Sequence, residues 1–410
     1  MKIDVTNLRF GKPWQRNLAA IWVAELIALS GFTVFMPFMP YYVQELGVTQ
    51  LKEVEFWSGL LLSSQAVTMA AVAPLWGSLA DRYGRKIMVV RAMFGGSAVT
   101  ALMGFTQNVG QLVALRAIQG ALTGTVPAAT TLVASGTPPE RRGYALGLLQ
   151  MAIYSGASVG PMLGGLIADH LGYRATFWVT GGLLFSAGVL VSALVHEEFI
   201  SPEKADSRKK SHLWDGVVMV LHTRALVIVF AIRVLMRMGM RVVGPMLPLF
   251  VQEIAAAGTK VASLTGTIEG FGAAAAAVAA VTLGRISDMI GYRRILLVCG
   301  AIACVLHGTM AGVQTPTQLL ILRTLSGAAM GGILASISAL QAALAPKDRF
   351  GAVYGVDTSM VAGANAAAPM IGAALAVSWG LPSVFLGAAA MYGVATLVIA
   401  AVVPGNESKT

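Results

Sequence analysis

Arg233, Arg237 and Arg241 recur every fourth residue inside RVLMRMGMR, a stretch otherwise as apolar as a lipid tail. On a helix this spacing drifts by about 80° over the three positions, so the guanidiniums form one basic stripe. An arginine in hydrocarbon costs about 2.5 kcal/mol or more and turns toward protein, water or a counter-ion. Three carboxylates, Glu25, Glu269 and Asp357, stand in equally apolar segments. Three kinds of chemistry are open to these six groups. A static ionic network would position helices, since breaking a buried pair is costly. Proton coupling would have a carboxylate exchange a proton while an arginine changes its proton affinity, with Asp357 the first choice and Glu269 the second. Anion binding would set the forked guanidiniums on a carboxylate or phosphate of a ligand.

Arg116, in RAIQGALTG beside Gln119, and Arg323 in ILRTLSG pose the same choice between packing and function. Trp22, Phe35, Tyr154, Met236, Met240, Phe271 and Tyr354 are candidates for the apolar and aromatic walls of a ligand cavity. Cys299 and Cys304 share one apolar run, which suggests packing and neither a disulfide framework nor a metal site. The sequence has no GxxxxGK[ST] phosphate loop and no HExxH, which argues against ATP-driven pumping and against a metalloenzyme. No cofactor is expected beyond a proton gradient.

The elements that must position these groups are membrane spans. The 410 residues are 56% hydrophobic and 12% charged, with a mean hydropathy of +0.73, a composition outside the soluble globular range. Twelve runs are long enough to cross a hydrocarbon layer of about 30 Å: 17–45, 55–80, 87–106, 110–134, 142–168, 175–195, 224–254, 260–284, 294–313, 316–343, 350–378 and 382–403. The first run is read as a retained span, since no small-residue cleavage site follows it. With the N-terminus cytoplasmic, the tails and even-numbered loops hold 21 Lys and Arg and the opposite loops three, Lys52, Arg174 and Lys260. This bias predicts an inner-membrane protein with both termini cytoplasmic. The net charge of +10 then reflects topology and lipid contact, and a nucleic-acid partner is not expected.

The chain is written twice, at an offset of 207–208 residues. VFMPFMPYYVQELG (34–47) matches VVGPMLPLFVQEIA (242–255), and GPMLGGLIADHLG (160–172) matches APMIGAALAVSWG (368–380). Six spans have been duplicated, giving a bundle over 1–196, a polar linker over 197–223 and a bundle over 224–410. All-α bundles in this parallel arrangement, related by a pseudo-two-fold axis along the membrane normal, suit transport by rocking about a central site. Glu25 falls on the repeat position of Arg233, which predicts that the two form a pair across the axis.

GSLADRYGRK, between spans 2 and 3, sets Asp81 among basic residues, with Gly77 and Gly84 allowing close approach and a tight turn and Arg85 and Lys86 following. This resembles the loop motif of the major facilitator superfamily, and RAIQGALTG is similar to its membrane arginine motif. GASVGPMLGG, with Gly156, Gly160, Pro161, Gly164 and Gly165, resembles the GxxxGPxxGG motif of the 12-span drug:proton antiporter branch. The resemblance covers nearly the whole chain. It implies a gate at Asp81, a part for Arg116 in proton coupling, and glycines that let the bundles pack and rock. Small residues four apart permit close helix approach in lipid in any case. The expected function is export of amphipathic drugs in exchange for protons by a monomer surrounded by lipid. The alternative is a carrier for a defined organic anion or phosphorylated metabolite.

Overall fold

The computed structural model describes residues 13–197, 224–344 and 350–402. Most of the expected linker lies outside the described residues. The fold is entirely helical among those described, because backbone groups in lipid must bond within their own segment. The first half comprises α1 (Pro13–Phe35), α2 (Met39–Glu45), α3 (Leu51–Tyr83), α4 (Arg85–Met103), α5 (Val109–Leu122), α6 (Thr125–Gly136), α7 (Arg142–Leu171) and α8 (Tyr173–Leu194). The second comprises α9 (Arg224–Val242), α10 (Leu247–Ile254), α11 (Val261–Ile290), α12 (Tyr292–Met310), α13 (Pro316–Leu344), α14 (Phe350–Trp379) and α15 (Pro382–Val402).

Ten of the expected spans are continuous enough to cross a membrane by length and composition. The other two are divided. The 110–134 run breaks at Thr123–Gly124, where Gly124 adopts φ +120°, and the 224–254 run breaks over 243–246, around Pro245. The first span also changes character, passing through a 3-10 turn at Met36–Phe38 with Pro37 inside it. Spans 1 and 7 are therefore interrupted at repeat-equivalent places. The duplication also shows in the turns. Gly84 and Gly291 (φ +99° and +95°), and Gly172 and Gly380 (both +84°), occupy equivalent corners in a region that side chains beyond glycine avoid.

Two large interfaces join the halves, α7 with α11 and α3 with α14, beside a smaller contact of α2 with α10. The hydrogen bonds that join the bundles at Ser158, Ser263, Tyr41, Gln44 and Lys260 lie from the midplane to the end opposite the termini. Ser158 Oγ donates to the Gly270 carbonyl at 3.0 Å, and the Ser263 N–H donates to Asp169 Oδ2 at 2.7 Å. Tyr41 Oη donates to the Pro248 carbonyl at 2.6 Å and lies 2.8 Å from Thr265 Oγ1. Gln44 and Gln252 bond each other, and Lys260 Nζ lies 3.2 Å from His170 Nε2. The interface between the bundles is thus bonded shut at the end opposite the termini.

Candidate substrate cleft and charge network

Helix α9 carries the arginine stripe on the face turned to α13 and α14. Its other side is packed, with Gly239 against the Tyr392 ring and Met236 near Gly300. Arg233 Nε lies 2.7 Å from Asp357 Oδ1, and its Nη1 donates to Ser338 Oγ at 3.2 Å. One turn on, Arg237 Nε donates to Asn365 Oδ1 at 2.9 Å, while Nη1 stands 3.8 Å from the Met240 sulfur. The Arg241 side chain is exposed and forms neither an ion pair nor a hydrogen bond among the described residues, with Glu269 within electrostatic reach. Deeper toward the sealed end, Arg323 Nη2 is 3.3 Å from Glu269 Oε2. The sequence suggested three arginines matched by three acids. Instead four arginines of the second bundle meet two carboxylates.

The expected Glu25–Arg233 pair does not form. Glu25 is fully buried in a different place, among the apolar side chains of the first bundle, and neither carboxylate oxygen has a hydrogen-bond partner. Repeat equivalence brings two residues together only when both point at the axis. Glu25 points into its own bundle, and Arg233 toward α14.

Arg116 is also fully buried but is surrounded by neutral acceptors. Its Nη1 donates to Gln119 Oε1 at 2.6 Å, Nη2 to Gln65 Oε1 at 2.7 Å and Nε to the Leu61 carbonyl at 3.3 Å. Gln119 Nε2 in turn donates to Thr100 Oγ1 at 2.6 Å. This network ties α3, α4 and α5 together.

Among the candidate walls, Phe35 and Met236 belong to the packed core. Tyr154 on α7 and Met240 on α9 are half-buried, and Tyr154 lies within electrostatic reach of Arg237 across the bundle interface. Phe271 is exposed on α11, and Trp22 is half-buried on α1. The side chains of Tyr354 and Asp81 lie outside the described residues. A separate cavity of 1310 Å³ at the termini end of the first bundle is lined by Trp14, Arg16, Arg85, Arg142 and Glu197 and includes none of the stripe.

The glycine motif of α7 divides its work. Gly156, Gly160 and Gly164 lie against the backbone or side chains of α1, within the first bundle, whereas Gly165 meets Ala262 and Ser263 of the second. Pro161 offers its carbonyl side to Gly266. The 77–86 loop bonds within its own bundle. The backbone N–H groups of Arg85 and Lys86 donate to Glu197 at 3.0 and 2.7 Å, and Lys86 Nζ donates to the Ser192 carbonyl at 2.8 Å. Gly77 has no close neighbour on its open side. Sequence reasoning did not single out Asn365, Ser338, Gln65 or the Gln44–Gln252 pair. Only the last had a signal, the shared VQE of the repeat.

Two parallel bundles, interrupted helices at the interface and charges gathered among the helices of the second bundle define a secondary-transporter architecture. The Major Facilitator Superfamily model matches residues 21–233 and 229–410, and the chain belongs to that family as a multi-pass membrane protein. It is 36% identical over 372 residues to the multidrug resistance protein MdtG of Salmonella dublin, covering 91% of each chain. The same figures hold for the protein of that name from Salmonella typhimurium. Its fold is similar to that of a bacterial homolog of the human lysosomal transporter Spinster in an inward-facing, occupied conformation (TM-score 0.79, 14% identity, 95% of this chain and 97% of that one). It is also similar to that of the human organic anion transporter MFSD10 (TM-score 0.68, 17% identity, 95% and 100%).

Proposed function

We propose that the protein exports amphipathic drugs across the plasma (inner) membrane in exchange for protons, acting as a monomer with both termini cytoplasmic. The observation that carries this reading is the one-ended closure of two repeat-related bundles around a charged cleft. With the termini cytoplasmic, the cleft opens to the cytoplasm, from which an exporter loads. The name borne by the similar Salmonella proteins supports drugs as the cargo.

The carboxylates supply the coupling. Glu25 has the strongest support as the proton carrier, because a buried carboxyl without partners is held most cheaply as the neutral acid. Losing the proton requires that the surroundings of α1 change, as they do when α1 and α7 tilt with their bundle. Asp357 and Glu269 are the second and third carriers, since protonation of either would release Arg233 or Arg323. Arg116, held by neutral groups, orders α3–α5 so that Glu25 moves with the whole bundle.

Proteoliposomes with an acidic, dye-loaded lumen test this reading. Adding an amphiphile outside should drive proton exit from the lumen in the wild type. Absence of proton movement with every amphiphile tried, while one of them accumulates, would overturn it.

A further inference from the structure

We infer that the cleft contains an anion subsite formed by Arg237 and Arg241 with Asn365, so that the exported amphiphile carries a carboxylate, sulfonate or phosphate on an apolar body. This inference rests on the export reading and names its substrate class. The charge arrangement carries it. The two ion pairs, Arg233–Asp357 and Arg323–Glu269, lie on either side of two arginines that form no ion pair of their own, so that Asp357 and Glu269, within electrostatic reach of Arg237 and Arg241, are shared among four guanidiniums. Glu25 cannot serve as their counter-ion here, since it is sequestered in the first bundle.

The guanidinium edges define what fits. Arg237 spends Nε on the neutral Asn365 oxygen, which fixes the plane of the group and leaves Nη2, together with Nη1 beyond its contact with the Met240 sulfur, for a ligand. The Arg241 side chain, one turn away on the same face, forms no hydrogen bond or ion pair among the described residues and is exposed within an apolar helix. Two forks stacked along one helix suit an oxyanion, which each can meet with paired N–H donors. The packed side of α9 faces Tyr392 and Gly300, so the stripe turns away from it, toward the interface that Tyr154 approaches from the other bundle. Met240, beside Arg237, offers an adaptable apolar surface for the body of the ligand. For the half-buried Arg237 a charge without a direct ion pair is costly, and a ligand anion relieves that cost only while it is bound.

Calorimetric titration of the full chain in zwitterionic nanodiscs tests the subsite with three probes of one apolar body: 2-naphthyl phosphate, 2-naphthol and 2-naphthyltrimethylammonium. The phosphate should bind at least tenfold more tightly than the alcohol, and the cation more weakly than either. The preference should disappear in Arg241→Gln, fall in Arg237→Gln and survive in part in Arg241→Lys. Inorganic phosphate should compete only at concentrations far above that of the naphthyl ester; equal competition would mean a simple ion site and overturn the amphiphile assignment. Because the Arg241 side chain bonds no described residue, Arg241→Gln decides the matter even if Arg237→Gln fails to fold. Equal binding of the three probes, or an undiminished preference in Arg241→Gln, would overturn the subsite. Proton exchange driven by the cationic probe without an anion preference would reject the subsite and keep the export reading. Anion-selective binding with no proton exchange would do the reverse.

Discussion

Gln44 and Gln252 exchange hydrogen bonds across the bundle interface, Gln44 Nε2 to Gln252 Oε1 at 3.0 Å and Gln252 Nε2 to Gln44 Oε1 at 3.2 Å. They are 208 residues apart and occupy the same place in the two repeats, so a single glutamine per half makes a self-complementary clasp on the pseudo-two-fold axis. Tyr41 beside it, bonded to Pro248 and Thr265, completes the seal.

Replacing both glutamines by glutamate sets like charges where the amides interlock, and closure at this end should weaken. Thr265→Cys, buried in the seal, should then react several-fold faster with a membrane-impermeant maleimide added on the side opposite the termini. An unchanged labelling rate would mean that helix packing alone holds the seal.

The two classes of glycine on α7 should respond differently to added volume. Gly160→Val forces a side chain into Thr33 and Ser30 of the same bundle and should lower stability by about 1–3 kcal/mol, the usual cost of overpacking. Gly165→Val meets the backbone of Ala262 in the other bundle, so the bundles can part to relieve it. It should leave thermal stability nearly intact and increase labelling at Thr265→Cys. Thermal unfolding in detergent beside the labelling rate separates the two.

The Arg233–Asp357 pair lies at 2.7 Å with both side chains largely buried. Asp357→Asn strands the guanidinium and should destabilise by about 3 kcal/mol or more, whereas Arg233→Met with Asp357→Leu should recover most of the loss. Thermal unfolding of the three variants measures this; equal stability of Asp357→Asn and wild type would show that the pair is solvated.

The architecture was legible in the sequence because it rests on composition, charge bias and the repeat, each of which survives without knowledge of contacts. The breaks were partly legible: Pro37, Pro40, Pro245 and Pro248 mark spans 1 and 7, but nothing around Gly124 distinguishes a break from an ordinary small residue. Charge pairing was not legible. That Arg233, Arg237 and Arg241 share a face follows from helix geometry, whereas the choice of Asp357 over Glu25 depends on how α9 is rotated against α14. Repeat symmetry relates Gln44 to Gln252 just as it relates Glu25 to Arg233, although a contact was expected only for the second pair. Only the glutamines sit close enough to the axis for the symmetry to become a contact.

Arg116 depends on the fork of its guanidinium, which serves Gln65, Gln119 and Leu61 at once. Arg116→Lys keeps the charge but cannot reproduce that geometry, and leaving a buried acceptor unpaired costs about 1–3 kcal/mol. The variant should unfold at a lower temperature while retaining any anion preference. A variant as stable as the wild type would contradict this reading of the network.

The most direct test of proton-coupled export compares wild type and Glu25→Gln in the acid-loaded proteoliposomes, with binding of the naphthyl probes measured in parallel. Glu25→Gln should bind the probes as the wild type does and release no protons when they are added. Proton release equal to that of the wild type would contradict the assignment of Glu25 as the carrier.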